Sequence, residues 1–232
     1  MIRFDTVSES TLMVHFADEI DVSMTPLIAR LTNQIQADFP EQLIDLLPSY
    51  TSILIHFHPD KITERVLRER VQHCYQQWQN QPVSAQGKLI ELPVYYHPDV
   101  GPDLAALAAS QAMSVDEVIA LHSGATYTVC AIGFAPGFAF LASVDQAIAT
   151  PRHAEPRLRV AAGSVGIANQ QTAVYPAQSP GGWQIIGNCP KPLFNPHQEP
   201  MTPFQVGDQV RFQPIDRQTF HSLGGEIWPH WK

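Results

Sequence analysis

Short apolar runs separated by polar turns occupy the first part of the chain. Residues 4–7 and 11–16 predict a β-hairpin, and residues 43–47 and 52–57 predict two more strands on either side of Pro48. No Asn-Gly pair marks the first turn, so the hairpin follows from the strand pattern alone.

Two helical repeats accompany these strands. Leu27, Leu31 and Ile35 recur every four residues and predict a helix that begins at a Ser23 cap. Asp60 is the predicted cap of a second helix after the last strand. The apolar stripe of this second helix consists of Leu67, Val71, Cys74, Tyr75 and Trp78. The order of these elements predicts a small α+β sandwich of ferredoxin-like type.

The composition changes near residue 80. Residues 80–88, NQPVSAQGK, are polar and contain proline and glycine, which is typical of a linker. We therefore predict two domains, an α+β domain over residues 1–84 and a second domain over residues 85–232.

The second domain is rich in short strands. Residues 89–95 predict a strand, Gly101 opens a helical region, and Ser114 with Glu117 forms a capping box for a helix that ends near Gly124. Beyond this helix, glycine and proline separate β-rich runs, which lie at residues 126–132, 165–168, 172–175, 183–186 and 209–212. Many short strands with such turns predict a closed β-barrel, because closure removes exposed sheet edges.

The composition indicates a packed protein that does not bind nucleic acid. Apolar residues make up 44% of the 232 residues and charged residues 16%, with a formal net charge of -8 that would be repelled by phosphate backbones. The three cysteines form no Cys-x-x-Cys pair, which predicts reduced thiols in a cytoplasmic protein rather than disulfides or a zinc site. His56 and His58 flank Phe57 without further ligands nearby, so no metal site is predicted.

The sequence also predicts neither a signal peptide nor a membrane span. The N-terminus lacks a basic stretch followed by an apolar block. The longest apolar run, residues 129–142, is shorter than the roughly 20 residues that a membrane helix needs. Gly133, Pro136 and Gly137 interrupt it further.

The segment GFAPGFAFL, residues 133–141, places two glycines and a proline inside this apolar run. A phosphate-binding loop of the Walker type would need a Gly-Lys-Ser/Thr continuation, and no lysine in the chain precedes serine or threonine. We interpret the segment as a pocket-lining turn of the barrel, in which the phenylalanines are buried and the glycines let the backbone fold beside a ligand. Its candidate binding residues are Gly133, Phe134, Gly137 and Phe138.

His122, near the end of the capped helix, has two interpretations. As a cation it would stabilise the C-terminus of the helix, and at the rim of a pocket it would serve as a general acid or base. The spacing of residues leaves both interpretations open.

An arginine cluster and a run of neutral donors follow. Arg152, Arg157 and Arg159 would either clamp an anion or face solvent in a loop. Residues 161–187 concentrate uncharged donors and small residues around Trp183, which suits an amide or small-acid ligand. The candidate contacts in this run are Ser164, Gln171, Ser179 and Trp183. Neither a nucleophile elbow nor a catalytic-cysteine signature is present, so nucleophilic catalysis by this chain is not expected.

Three contiguous segments, GFAPGFAFL, PRHAEPRLRVAAGSVGIANQQTAVYP and SPGGWQIIGNCPKPLF, resemble the family of the 5-oxoprolinase B subunit. This family also includes the bacterial kinase inhibitor KipI and proteins labelled allophanate hydrolase subunit 1. Upstream, LPSYTSILIHFHP and ELPVYYHPDVGPDLAALA match as well, so the resemblance covers nearly the whole chain. It implies an α+β protein with an N-terminal ferredoxin-like domain and a C-terminal cyclophilin-like β-barrel domain.

The resemblance further implies one part of an ATP-dependent 5-oxoprolinase, which cleaves 5-oxo-L-proline to L-glutamate only when the 5-oxoprolinase C and A subunits are also present. ATP is expected at the complex and not in a Walker site of this chain. The resemblance implies that the pocket of the family lies at residues 133–140, Arg152, Arg157, Ser164, Gln171, Ser179 and Trp183, and that His122 matches the histidine ahead of the barrel in the family. Under this hypothesis His122 shuttles a proton, Arg157 holds the substrate carboxylate, and Gln171 with Ser164 orients the amide.

Two other functions stay open. A KipI-like regulator would bind a sensor histidine kinase through the barrel, and a component of a biotin-dependent, urea-type carboxyltransferase would act on urea, as a related pair of domains does in urea carboxylase. One departure bears on the substrate. Where relatives commonly read Gly-Arg-Thr-Pro, this chain has Asn188 and Cys189 between Gly187 and Pro190. If the arginine of the relatives binds an anion, its loss weakens the recognition of carboxylate or phosphate.

Overall fold

The computed structural model describes residues 2–79, 81, 87–229 and 231. The chain divides into two compact units, Met1–Gly87 and Lys88–Lys232. Most of the predicted linker, residues 80–88, lies outside the described residues. The predicted domain boundary therefore stays a prediction.

The N-terminal unit is a four-stranded antiparallel sheet with two helices. Its elements are β1 Arg3–Ser8, β2 Thr11–His15, α1 Thr25–Asp38, β3 Leu43–Ser49, β4 Ser52–Phe57 and α2 Glu64–Trp78. The strand order in the sheet is β1-β2-β4-β3. Leu12 and Val14 on β2 pack with Ile53 and Ile55 on β4 against the apolar faces of both helices. The predicted hairpin, the two further strands and the two helices are confirmed.

Both predicted helix caps in this unit are wrong. Ser23 lies in a short 3-10 turn, where its backbone N–H and its hydroxyl donate to Asp21 Oδ1 at 2.9 and 2.6 Å. The side chain of Asp21 therefore caps this turn, and α1 begins after it at Thr25 without a side-chain cap. Asp60 lies too far from α2 to cap it, because Thr63 is the residue that precedes the first helical position.

Strand β3 also extends further than the sequence predicts. Pro48, the predicted break between two strands, lies inside β3 and is paired with Ile53 of β4. A proline is tolerated there because β3 is an edge strand, so the N–H that proline lacks is not needed by another strand.

The C-terminal unit contains most of the strands and three helices. Its elements are β5 Leu89–Val94, α3 Leu104–Ser110, α4 Val115–Gly124, β6 Tyr127–Ile132, β7 Ala139–Ala142, β8 Arg157–Val160, β9 Ser164–Ala168, β10 Gln171–Val174, β11 Ser179–Gly181, β12 Gln184–Asn188, β13 Gln209–Pro214 and α5 Arg217–Ser222. One seven-stranded sheet has the order β12-β9-β10-β7-β6-β13-β5, and β8 pairs with β11 in a separate ribbon. Strands β13 and β5 are parallel, and the other neighbours are antiparallel.

The seven-stranded sheet is nearly closed into a barrel. Tyr95, which follows β5, exchanges two backbone hydrogen bonds with Asn188 of β12, at N···O distances of 2.9 and 3.0 Å. Because β5 and β12 are the two edges of the sheet, this bridge joins its first and last strands. The mixed α+β class and the barrel-like sheet predicted from the sequence are thus present.

Alternation along the strands separates an inner from an outer core. On β7, Ala139 and Leu141 pack with apolar residues of α3 and α4 in the interior, whereas Phe138 and Phe140 belong to a cluster on the other face of the sheet. Val160 of the β8–β11 ribbon joins this outer cluster. The predicted capping box of α4 is confirmed, since the Ser114 hydroxyl and the Glu117 carboxylate each accept the other residue's backbone N–H.

The described ranges contain no single membrane-spanning helix, no metal-binding cluster and no disulfide. No single helix is long and apolar enough to cross a membrane, and α3 with α4, bent by 98° at their junction, passes such a test only as a pair. No group of three or more His, Cys, Asp or Glu side chains in these ranges could hold a metal ion. The three cysteines, all of them described and buried, are not joined by disulfides.

Candidate functional site

Five aromatic side chains form a connected cluster on the outer face of the barrel. They are Phe134, Phe138, Phe140, Tyr175 and Trp183. The ring of Phe138 is central, with its centroid 4.9–5.7 Å from the other four rings in edge-to-face contacts. Phe138 and Trp183 are both buried. These two predicted binding residues therefore support the outer face as buried packing residues and are not exposed on it.

Phe134 is the exposed member of the cluster. It follows β6 in the turn that leads to β7, where Gly133 N–H donates to Phe138 O at 3.1 Å and closes the loop. The side chain of Phe134 is 65% exposed and its φ is +70°, a conformation that is rare for bulky residues. The prediction that all phenylalanines of the turn are buried is wrong, because the backbone turns Phe134 outward.

Gly137 is the residue of this turn that has to be glycine. Its φ is +80°, and a Cβ added there would lie 2.6 Å from Leu193 O and 2.9 Å from Phe194 Cβ. Gly133, which has no atom within 4 Å of such a Cβ and no positive φ, does not have this requirement.

We expect Gly137→Ala to lower the free energy of unfolding by about 1–3 kcal/mol, since strain and overlap act together. Urea denaturation measures the change. Gly133→Ala is the matched control and should shift stability by less than about 0.5 kcal/mol. Equal effects of the two substitutions would contradict the structural account of the turn.

Arg157 is engaged by a protein carboxylate. Its Nη1 and Nη2 donate to the two carboxylate oxygens of Asp103 at 2.9 and 2.6 Å. Asp103 is buried and also accepts the Ile185 N–H at 2.6 Å. The predicted role of Arg157 as a clamp for a substrate carboxylate is wrong in this structure, because its bidentate donor fork is occupied.

The surroundings of the three predicted arginines differ. The guanidinium of Arg152 lies over the Trp183 ring, 5.6 Å from its centroid, and Arg159 is exposed on β8. His153, which the sequence did not single out, places Nε2 3.2 Å from Asp103 Oδ2. The buried carboxylate of Asp103 therefore lies between the side chains of Arg157 and His153.

His122 lies inside the barrel and not at a rim. Its side chain is fully buried, with Nδ1 2.8 Å from the Tyr96 hydroxyl and Nε2 2.9 Å from Thr172 Oγ1. Thr172 donates its hydroxyl hydrogen to Gly166 O at 3.0 Å. Nε2 must therefore carry the hydrogen of the His122–Thr172 bond, and Nδ1 accepts from Tyr96.

Both interpretations of His122 from the sequence need correction. Burial lowers the pKa of His122 to about 3, so the imidazole is neutral and is not a cation at the C-terminus of α4. The same burial removes it from any pocket rim. The ring stacks on Phe212 at 4.6 Å between centroids, which makes it part of the packed interior.

A cleft of about 530 Å³ opens next to the aromatic cluster. Its lining consists of residues 161–163, Tyr175, Pro176, Gln178, residues 188–192 and residues 224–229. Tyr175 belongs to both the cleft and the cluster. None of the predicted site residues, all of which the structure describes, is part of this lining.

Asn188 and Cys189, the two residues that depart from the pattern of the relatives, are in the cleft wall. Asn188 Nδ2 donates to Ala162 O at 2.9 Å. Burial raises the pKa of the Cys189 thiol to about 11, so this group is protonated at neutral pH and unsuited to nucleophilic attack.

The predicted neutral donors have separate positions. Ser164 is fully buried as the cross-strand partner of Asn188, and its Oγ has no hydrogen-bond partner among the described residues. Gln171 begins β10 and is half-buried. The Ser179 hydroxyl donates to the neighbouring Pro180 O at 3.2 Å. Ser164 and Ser179 each follow a residue of the cleft lining, Gly163 and Gln178 respectively, whereas Gln171 does not.

Sequence reasoning missed the charged residues of this region. None of Asp103, Lys191 and Glu226 is a site residue predicted from the sequence. Lys191 carried a usable signal, because it is one of four lysines in an acidic chain and lies between two prolines. Glu226 carried none, since its place in the cleft depends on the path of the C-terminal segment.

Comparisons with known proteins agree on one family. The model of the carboxyltransferase domain, subdomain C and D, matches residues 2–204. The 5-oxoprolinase B subunit of Bacillus subtilis (strain 168) is 32% identical over 97% of this chain and 97% of its own length. The protein of the same name from Escherichia coli O157:H7 is 35% identical over 90% of this chain and 94% of its own length.

Solved structures show the same fold. The crystal structure of TTHA0988 matches with a TM-score of 0.78 and 29% identity over 99% of this chain, which spans only 41% of that longer chain. Kluyveromyces lactis urea carboxylase matches with a TM-score of 0.71 over 95% of this chain and 22% of the enzyme, and at 18% identity it shows the fold alone. The family match over most of the chain and the two relatives above 30% identity lead to one conclusion: the chain belongs to the carboxyltransferase domain family, subdomain C and D.

Proposed function

We propose that the chain is the B subunit of an ATP-dependent 5-oxoprolinase. The observation that carries the proposal is the similarity to two proteins with that name over 90% or more of each chain. The reaction adds one water across the lactam C–N bond of 5-oxo-L-proline and yields L-glutamate. Because an amide is a weak electrophile, ATP would first phosphorylate the lactam oxygen and release ADP. Water would then attack the activated carbon, and the ring C–N bond would break as the amine leaves. A second water would release phosphate from the resulting acyl phosphate and give L-glutamate.

In this proposal the chain works only within an assembly that contains the 5-oxoprolinase C and A subunits. The relatives are named as one lettered part of an enzyme, which implies other parts, and the sequence offers no Gly-Lys-Ser/Thr loop for ATP. We therefore propose that ATP binds at the complex and that the complex is cytoplasmic. The neutral, buried His122 and the engaged Arg157 hold the barrel together in this scheme and do not contact substrate.

The proposed site is the outer face of the barrel together with the cleft of about 530 Å³ that opens beside it. Arg152, Phe134 and Ser179 present side chains there above the buried Phe138 and Trp183, and the turn from Gly133 to Gly137 holds Phe134 in place. Gln171 and Ser164 stay proposed contacts for the amide. This arrangement supports binding and orientation of substrate and leaves phosphoryl transfer to the partners.

The finer fold names are part of the same proposal. The N-terminal unit runs ββαββα with the sheet order β1-β2-β4-β3, which is a cyclic permutation of the βαββαβ order of a ferredoxin-like unit. We propose a ferredoxin-like N-terminal domain on this ground, followed by a cyclophilin-like barrel domain.

A first test uses the purified chain alone. It is expected to show neither ATPase activity nor release of glutamate from 5-oxo-L-proline, since it has no phosphate loop and no evident nucleophile. Robust turnover by the chain alone would contradict its proposed role as one part of a larger enzyme.

A carboxyltransferase component is the second candidate. The family description and the fold shared with urea carboxylase favour it. Transfer of a carboxyl group from carboxybiotin to urea, measured with the chain and its purified partners, would support this candidate, and glutamate release supports the first.

A further inference from the structure

The 530 Å³ cleft has a composition that suits a small charged ligand. Lys191 is the one basic residue and Glu226 the one acidic residue among its described lining positions. Gln178 and Asn188 add side-chain amides, and Tyr175 and Trp228 add aromatic rings. The volume lies within the roughly 300–1,000 Å³ of typical small-molecule sites, which combine apolar walls with a few polar groups.

We propose that this cleft binds a small carboxylic acid that also carries an amide, with Lys191 as the anchor of the carboxylate. The inference rests on the proposed function, under which the ligand is 5-oxo-L-proline. The carboxylate of that molecule can pair with the ammonium of Lys191. Its lactam N–H and C=O can pair with the side-chain amides of Gln178 and Asn188.

Lys191 is suited to this role because it is a cation without an ion pair in the part of the chain that the structure describes. Among the described residues it forms no ion pair, in contrast to Arg157, whose guanidinium is held by Asp103. Lys191 is exposed and lies between Pro190 and Pro192, whose rings restrict the backbone on both sides. An incoming carboxylate therefore meets a cation that does not first have to leave a protein partner.

The amide groups of the cleft can meet the lactam. Asn188 Nδ2 is already committed to Ala162 O, which leaves its Oδ1 as an acceptor on the side of Gly163. Gln178 is exposed and offers both a donor and an acceptor. The lactam N–H and C=O each find a complementary group in this pair. Tyr175 and Trp228 would cover the apolar ring carbons.

Titration calorimetry on the full-length chain tests the assignment. The probes are 5-oxo-L-proline and pyrrolidin-2-one, which has the same lactam ring without the carboxylate. We expect Lys191→Met to weaken binding of 5-oxo-L-proline by about tenfold or more, since a charge-assisted hydrogen bond is lost, and to leave binding of pyrrolidin-2-one unchanged. Circular dichroism checks that the exposed substitution leaves the fold intact.

Two further variants serve as controls. Glu226→Gln should leave the affinity for 5-oxo-L-proline equal or raise it, because it removes the one negative side chain of the described lining. Arg159→Met removes an exposed cation outside the cleft and should change nothing. If Lys191→Met and Arg159→Met have equal affinities for 5-oxo-L-proline, or if Lys191→Met weakens both probes alike, the carboxylate anchor is overturned.

The same variant in the complete assembly separates this inference from the proposed function. If the assembly releases glutamate and Lys191→Met leaves its KM for 5-oxo-L-proline unchanged, the cleft assignment fails and the function stands. If the assembly releases no glutamate while Lys191→Met still loses affinity for the acid, the function fails and the carboxylate site stands.

Discussion

Arg157→Ala is expected to lower the free energy of unfolding by about 3–5 kcal/mol, because it leaves the buried carboxylate of Asp103 without its cation. The two N–H···O contacts at 2.9 and 2.6 Å disappear together, and only the Ile185 N–H and the nearby His153 remain around Asp103. Arg157→Lys should lower the free energy of unfolding by a smaller amount, since an ammonium restores the charge but not the two parallel hydrogen bonds of the guanidinium.

Arg159→Ala is the matched control for this prediction. Arg159 is two residues away on the same strand, exposed, and without an ion pair among the described residues. Urea denaturation should show a change within about 0.5 kcal/mol for this variant. If Arg157→Ala unfolds at the same urea concentration as Arg159→Ala, the Asp103–Arg157 pair is not a structural element of the barrel.

Acid is expected to destabilise the protein through His122. The imidazole is neutral in the folded state because burial lowers its pKa to about 3, whereas its ordinary value is 6.5. Between these two values the unfolded chain binds more protons at this residue than the folded chain, so stability is lost as the pH falls below 6.5. The slope approaches about 1.4 kcal/mol per pH unit below pH 6, which gives about 2 kcal/mol between pH 6.5 and pH 4.5.

The comparison that isolates this effect is the difference between the wild-type chain and His122→Gln. Carboxylates whose pKa is lowered in the folded state also stabilise the protein less as the pH falls. One of them is Asp38, whose pKa is lowered by the hydrogen bond from Arg70. Their effect is the same in both proteins and cancels in the difference. Urea denaturation from pH 7 to pH 4.5 should give a shallower pH dependence for His122→Gln. Parallel curves would mean that His122 is protonated in the folded state and that its burial is misjudged.

Local patterns were sufficient to predict many of the regular elements of the fold, but not all of them. The capping box of Ser114 and Glu117 and the four-residue repeat of Leu27, Leu31 and Ile35 depend on neighbours in the chain, and both are present. Strand β8 was missed because it is only four residues long, two of these residues are arginine, and Val160 is its one buried residue. Strand β11, Ser179–Gly181, was missed because proline and glycine favour turns.

The candidate site was harder to predict because its partners are distant in sequence. Arg157 and Asp103 are separated by 54 positions, and His122 and Thr172 by 50. Spacing identified both Arg157 and His122 as chemically important and could not show that each already has a protein partner. The aromatic cluster was easier, since Phe138 and Trp183 belong to sequence motifs that fold together on one face.

Reconstitution with the purified A, B and C subunits is the most direct test of the central claim, which is that this chain is the B subunit of a 5-oxoprolinase. The rate of glutamate release from 5-oxo-L-proline with ATP is measured for the complete mixture and for mixtures that lack one component. The account predicts steady turnover by the complete mixture and none when this chain is omitted. No turnover by the complete mixture, together with inhibition of a sensor histidine kinase by this chain, would contradict the account and favour the regulator.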